Sequence, residues 1–146
     1  MASSKPQPSA TPSPQDALIY LMVVVSAADR LMTDRELAQM GTLVRSLPVF
    51  EGFDPDHLVI AARKCQEILQ AENGLDTIME TVRLTVPEPL YDTAYAIAVE
   101  VASADRHVEQ EVLRILQILR NRLRLDPLIV AAIERAARAR NRSLAG

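Results

Sequence analysis

Carboxylates recur at two related places in the chain. Asp29, Asp34 and Glu36 follow one apolar run in the stretch VSAADRLMTDREL at residues 25–37. Asp105, Glu109 and Glu111 follow another in VASADRHVEQEVL at residues 101–113. Oxygen-rich groupings of this kind suit a hard divalent cation such as Ca²⁺ or Mg²⁺, which takes carboxylate, carbonyl and water oxygens. The same residues also have a purely structural use. A carboxylate at a helix C-terminus meets the negative pole of the helix dipole, and the free N–H groups of the next helix can offset it. Thr33-x-x-Glu36 reads as a capping box, and Glu109 and Glu111 suit a helix N-terminus without any ion. The alternating ligands and loop glycine of an EF-hand are missing. Both readings, cation site and helix hand-over, stand side by side.

Catalytic chemistry has less to draw on. His57 and His107 are the only histidines. His107 lies among Asp105, Glu109 and Glu111, where it could ligate a transition metal or form a surface ion pair, and Leu31 takes its place in the first turn. His57 is expected in an exposed first turn of a helix. The chain has no glycine-rich phosphate loop, nucleophile elbow or paired Cys/His framework. The single Cys65 excludes an internal disulfide and a thiolate metal cage, and it suits a reducing compartment. A half-buried structural thiol is the expectation. The chain reads as a non-enzymatic protein with no organic cofactor.

The elements that would position these residues are helices. The chain has 146 residues, 49% hydrophobic and dominated by aliphatics and alanine, with 3% aromatics and four glycines. That composition fits one all-α domain large enough to bury a core. The first thirteen residues, MASSKPQPSATPS, read as a disordered tail without the apolar region of a signal peptide. The helical domain is expected over residues 14–142. Ser13-Pro14 opens a first helix that is apolar nearly all round and should be central. The capping box opens the second, which Pro48 ends. Asp54-Pro55 starts the third, running to about Gln70, and Asn73-Gly74 closes that region. A shorter fourth covers about Leu75 to Leu84, a fifth about Leu90 to Ala104 and a sixth about Glu109 to Leu123. Asp126-Pro127 opens a seventh that frays near Asn141. The longest apolar run, residues 17–28, is too short for a membrane span. A cytoplasmic location is expected.

These seven helices contain a duplication. At an offset of 76, Val23, Val25, Ala28, Asp29, Arg30, Leu37, Leu43 and Leu47 fall on Val99, Val101, Ala104, Asp105, Arg106, Leu113, Leu119 and Leu123. Helices one to three therefore match five to seven, with helix four as the connector, and the two triplets are expected to pack with pseudo-twofold symmetry.

The pattern "AAD…TDREL" after an apolar helix, then "SAD…EQEVL" in the second half, resembles the TerB family of tellurite-resistance proteins. It also resembles the TerB-like N-terminal domain of some J-domain co-chaperones. The resemblance covers nearly all of residues 15–140. It implies a compact all-α bundle of seven helices in bacterial tellurite-resistance and stress-response systems, acting with membrane-associated protein partners. It further implies divalent-cation binding at Asp29, Asp34 and Glu36 and at Asp105, Glu109 and Glu111. Two departures stand out. Arg30 and Arg106 occupy the position after the Asp where the family commonly has Gly, and Val112 stands where Glu36 stands in the first half.

Charge supplies an alternative. Eight arginines against Asp126 and Glu134 give residues 114–142 a charge of +6, although the chain is −3 overall. Such a surface could serve a metal-free adaptor or regulatory domain that docks a protein, nucleic-acid or lipid partner. Arginine is also a good helix former and suits the last turns of a terminal helix. No aromatic platform accompanies the arginines, which argues against nucleic acid.

Overall fold

A computed structural model describes residues 11–27, 30–104 and 109–145. Among them are seven α-helices and no strand: α1 (Pro14–Ala27), α2 (Asp34–Ser46), α3 (Leu58–Gln70), α4 (Gly74–Thr85), α5 (Tyr91–Ala104), α6 (Gln110–Arg122) and α7 (Pro127–Arg140). The all-α, seven-helix expectation is met, with each helix at its expected place. Asp54-Pro55 opens a short 3₁₀ turn over Pro55–His57 that leads into α3.

The helix starts follow from local chemistry. Ser13 and Asp16 bond reciprocally at the head of α1: the Asp16 amide donates to Ser13 Oγ at 3.0 Å, and the Ser13 amide to Asp16 Oδ2 at 3.1 Å. Pro14 takes the first helical position, where its missing N–H costs nothing. Asp126 caps α7 in the same spirit, accepting from the Leu128 amide at 2.7 Å.

Packing follows from α1. Its residues 17–25 are all buried, so no single face can be turned to water. A helix of that kind needs neighbours on every side, and α1 contacts α2, α3, α4, α5 and α6. The run LIYLMVVV, which alone could have been a strand, is thus the central helix. α5 is the second axis: it packs on α1, and α6 and α7 both pack on it.

α3 and α4 meet at a tight turn. Asn73 takes a left-handed conformation (φ 63°), and a Cβ on Gly74 would come within 2.4 Å of the Ile68 carbonyl oxygen. Only glycine permits that approach. Cys65 is fully buried, deeper than expected, with its thiol 3.6 Å from the Tyr20 carbonyl oxygen. His57 is half-buried, not exposed: it lies 3.5 Å from Asp16 and edge-on to Phe53. No helix among the described residues is long and apolar enough to cross a membrane.

Candidate functional site

The first acidic turn is closed from within the chain. The Arg30 guanidinium grips Glu36 with both arms, Nη1 to Oε1 at 2.9 Å and Nη2 to Oε2 at 2.7 Å. The same group donates to the Ser26 carbonyl at 3.0 Å, in the last turn of α1, and to the Leu31 carbonyl at 3.2 Å. A positive charge at that end complements the helix dipole and satisfies a carbonyl with no partner inside the helix. Glu36 also accepts from the Thr33 amide at 2.9 Å while its own amide donates to Thr33 Oγ1 at 3.1 Å, completing the capping box. The Arg30 hydrogen bonds, aided by the Thr33 amide, hold the Glu36 carboxyl down at about 2. Gln66 of α3 donates to the Arg30 carbonyl at 3.3 Å and ties the turn to the bundle. The arginine that replaces the expected glycine thus supplies the cation of this turn. Both Glu36 oxygens are engaged, and in this arrangement Glu36 does not fit a metal ion.

The remaining expected ligands are dispersed or fall elsewhere. Asp34 is exposed in the first turn of α2. Glu109 is the N-cap residue of α6 but makes no side-chain cap bond, and exposed Glu111 pairs with Arg114 on its own helix at 3.2 Å. The capping box of α2 has no counterpart there, because Val112 offers no acceptor. Asp29, Asp105, Arg106 and His107 lie outside the described residues. Among the described residues no three His, Cys, Asp or Glu side chains gather as a metal site would require.

The fold assembles a different feature that linear reading missed. Tyr95, on α5, is fully buried, and its hydroxyl donates to Glu134 of α7. Arg120 of α6 lies 3.4 Å from the Tyr95 oxygen and 3.7 Å from Glu134. This strut joins the three helices: Tyr95 in the N-terminal half of α5, Arg120 in the last turn of α6 and Glu134 midway along α7. Burial first, and the Glu134 acceptor second, push the Tyr95 hydroxyl up to about 12. One signal was present in the sequence: a tyrosine inside an alanine-rich helix needs a partner for its hydroxyl once buried.

Beyond the strut, toward the C-terminal end of α5, an open groove of about 750 Å³ runs between α6 and α7. Val99 and Ala102 of α5 line it together with Leu113 and Leu116 of α6, and Arg114 and Arg138 contribute charge. Leu113 is 51% exposed there, one of eight large apolar residues exposed among the described ones, and it sits beside the apolar lining of the groove. A second cleft, at the other end of α5, is lined by charges of both signs, among them Arg83, Glu88, Asp92 and Arg122.

The basic C-terminal third is partly neutralised by the fold. Arg122 bonds Asp76 and Glu80 of α4, at 2.6 and 3.1 Å, and Arg140 pairs with Glu100 of α5. Arg135, Arg138 and Arg142 are exposed, and no ion pair holds them among the described residues. Their i, i+3, i+7 spacing puts them on one face of the chain's last helix and its immediate continuation. No protein-family model, curated protein or solved structure matches the chain.

Proposed function

We propose that this chain is a non-enzymatic helical interaction module of the TerB-like, stress-response kind, and that it docks a protein partner on the groove between α6 and α7. The observation that carries this reading is the groove itself: an apolar floor and a half-exposed Leu113 beside Arg138, which has no ion pair among the described residues. The TerB-like part rests on the sequence resemblance. It is supported by the seven helices in the implied order, and by a parallel in packing: α1 packs on α3 as α5 packs on α7, and α1 and α5 pack on each other. Cation binding at the acidic turns is set aside in this reading, because Arg30 already neutralises Glu36.

Site-directed photo-crosslinking in cells tests it. A benzophenone amino acid at position 113 should give a discrete adduct with one protein, identifiable by mass spectrometry. The same probe at exposed Leu84 of α4 should not. Identical adduct patterns at the two positions, or none at position 113, would rule the groove out as the docking surface.

A further inference from the structure

We propose that the occupant of the α6–α7 groove is an acidic amphipathic helix of a partner protein. This rests on the reading of the chain as an interaction module and adds the chemistry of the partner. Three observations carry it.

The first is shape. α6 and α7 are joined by the short segment 123–126, and the Arg120–Glu134 contact ties the last turn of α6 to the middle of α7. The groove lies past this brace, over the C-terminal half of α5, and Val99 and Ala102 line it where a covering helix would close the layer. Helices bury an apolar stripe into grooves of this type through residues at i, i+3, i+4 and i+7.

The second is the pattern of apolar exposure. Leu116 is buried at the groove wall, whereas Leu113, one turn earlier on the same helix, is half in water. A partner side chain seated between Leu113 and Val99 would remove that surface from solvent.

The third is charge. Among the described residues Glu134 is the one carboxylate lining the groove, and Tyr95 and Arg120 already engage it. Arg138 has no ion pair among the described residues, and Arg114 is held only by exposed Glu111 on its own helix. Exposed pairs of that kind are weak enough to exchange partners. Two guanidinium groups, one on each bank, are thus open to carboxylates, which arginine engages in a two-pronged geometry. A basic or uncharged helix would offer neither a carboxylate.

The test uses the full chain and a synthetic probe: a fluorescein-labelled helical peptide with leucines at i, i+3, i+4 and i+7 and glutamates flanking them. Two companions carry glutamine or lysine in place of glutamate. Fluorescence anisotropy should show the glutamate peptide binding best. Arg138→Glu and Leu113→Asp should each weaken it roughly tenfold. Arg63→Glu, an exposed change on α3, should leave it unaltered. All three substitutions fall on exposed side chains, and an unchanged circular dichroism spectrum and urea midpoint check that the fold persists. Equal binding of the three peptides, or insensitivity to Arg138→Glu, overturns the proposal. So does a preference of wild type over R138E for anionic phospholipid vesicles without peptide binding, which would assign the arginines to a lipid surface. If the probe at position 113 captures a partner but the glutamate peptide does not bind, the partner chemistry fails while the docking reading stands.

Discussion

The Tyr95 hydroxyl donates its hydrogen bond to the Glu134 carboxylate across the α5–α7 interface, 39 residues away in sequence. Tyr95 is the bulkiest fully buried side chain among the described residues, and this bond gives its one polar atom a charged acceptor at the edge of the core. Arg120 approaches the same pair from α6. The contact therefore links α5, α6 and α7 at the groove, which Arg120 and Glu134 both line.

Removing that hydroxyl should loosen the strut without opening a large cavity. For Tyr95→Phe we expect a loss of about 1–2 kcal/mol, near the lower end for bonds to charged groups, because half-exposed Glu134 can turn to water. Urea unfolding with an unchanged m-value measures it. The effect is also pH-dependent. The folded hydroxyl is raised from 10.0 to about 12, so its contribution is complete below pH 10 and is lost as pH rises through about 12. Tyr20, raised to about 12 by burial, behaves alike. Absorbance at the tyrosinate band should show both residues ionising only as the fold opens in alkali.

The Arg30–Glu36 clamp makes the opposite prediction in acid. Glu36 is lowered from 4.5 to about 2, so its stabilisation is present above pH 4.5 and fades as pH falls through about 2. Arg30→Ala should return the carboxyl toward its ordinary value, visible in its carbon-13 shift, and cost at most about 1 kcal/mol for so solvent-accessible a pair. In wild type, millimolar Ca²⁺ should leave the Glu36 carboxyl shift unmoved. A Ca²⁺-dependent shift would show that a metal displaces Arg30.

Two glycines should respond in opposite senses to alanine. At Gly74 the new Cβ would meet backbone, the Ile68 oxygen at 2.4 Å and Leu69 Cα at 2.7 Å, which cannot yield without moving α3 against α4. A loss of about 2–3 kcal/mol is expected. At Gly41, inside α2, the nearest atom is the far end of the Arg45 side chain at 3.2 Å, which can swing away. Gly41→Ala should add about 0.5–1 kcal/mol from helix propensity. Thermal unfolding of the two variants separates them.

Cys65 should be inert in the native protein. Burial raises its thiol to about 12 and no surface exposes it. A thiol reagent such as DTNB should label it at the rate of unfolding, and fully only in denaturant. Fast labelling of the native chain would contradict the packing of α3 on α1.

What the sequence determined by itself is the set of local decisions. Ser13-Pro14, Thr33-x-x-Glu36, Asp54-Pro55, Asn73-Gly74 and Asp126-Pro127 mark turns or helix ends, since each works through atoms within a few residues of one another. The central place of α1 was legible too, because a helix without a polar face has nowhere else to go. The candidate site was legible only in part. The carboxylates of the first turn were visible, but a count of ligands could not tell whether Arg30 would turn toward Glu36 or away to water. The folded turn decided that, by placing Ser26, Leu31 and Glu36 around one guanidinium, and the long-range contact there is Gln66 of α3 on the Arg30 carbonyl. Tertiary structure decided the fate of the basic C-terminal third, pairing Arg122 and Arg140 with carboxylates some forty residues earlier and leaving Arg138, beside Leu113, with no ion pair among the described residues. Such pairs depend on how helices are set against one another, and that geometry is fixed by the whole core, not by any short stretch of chain.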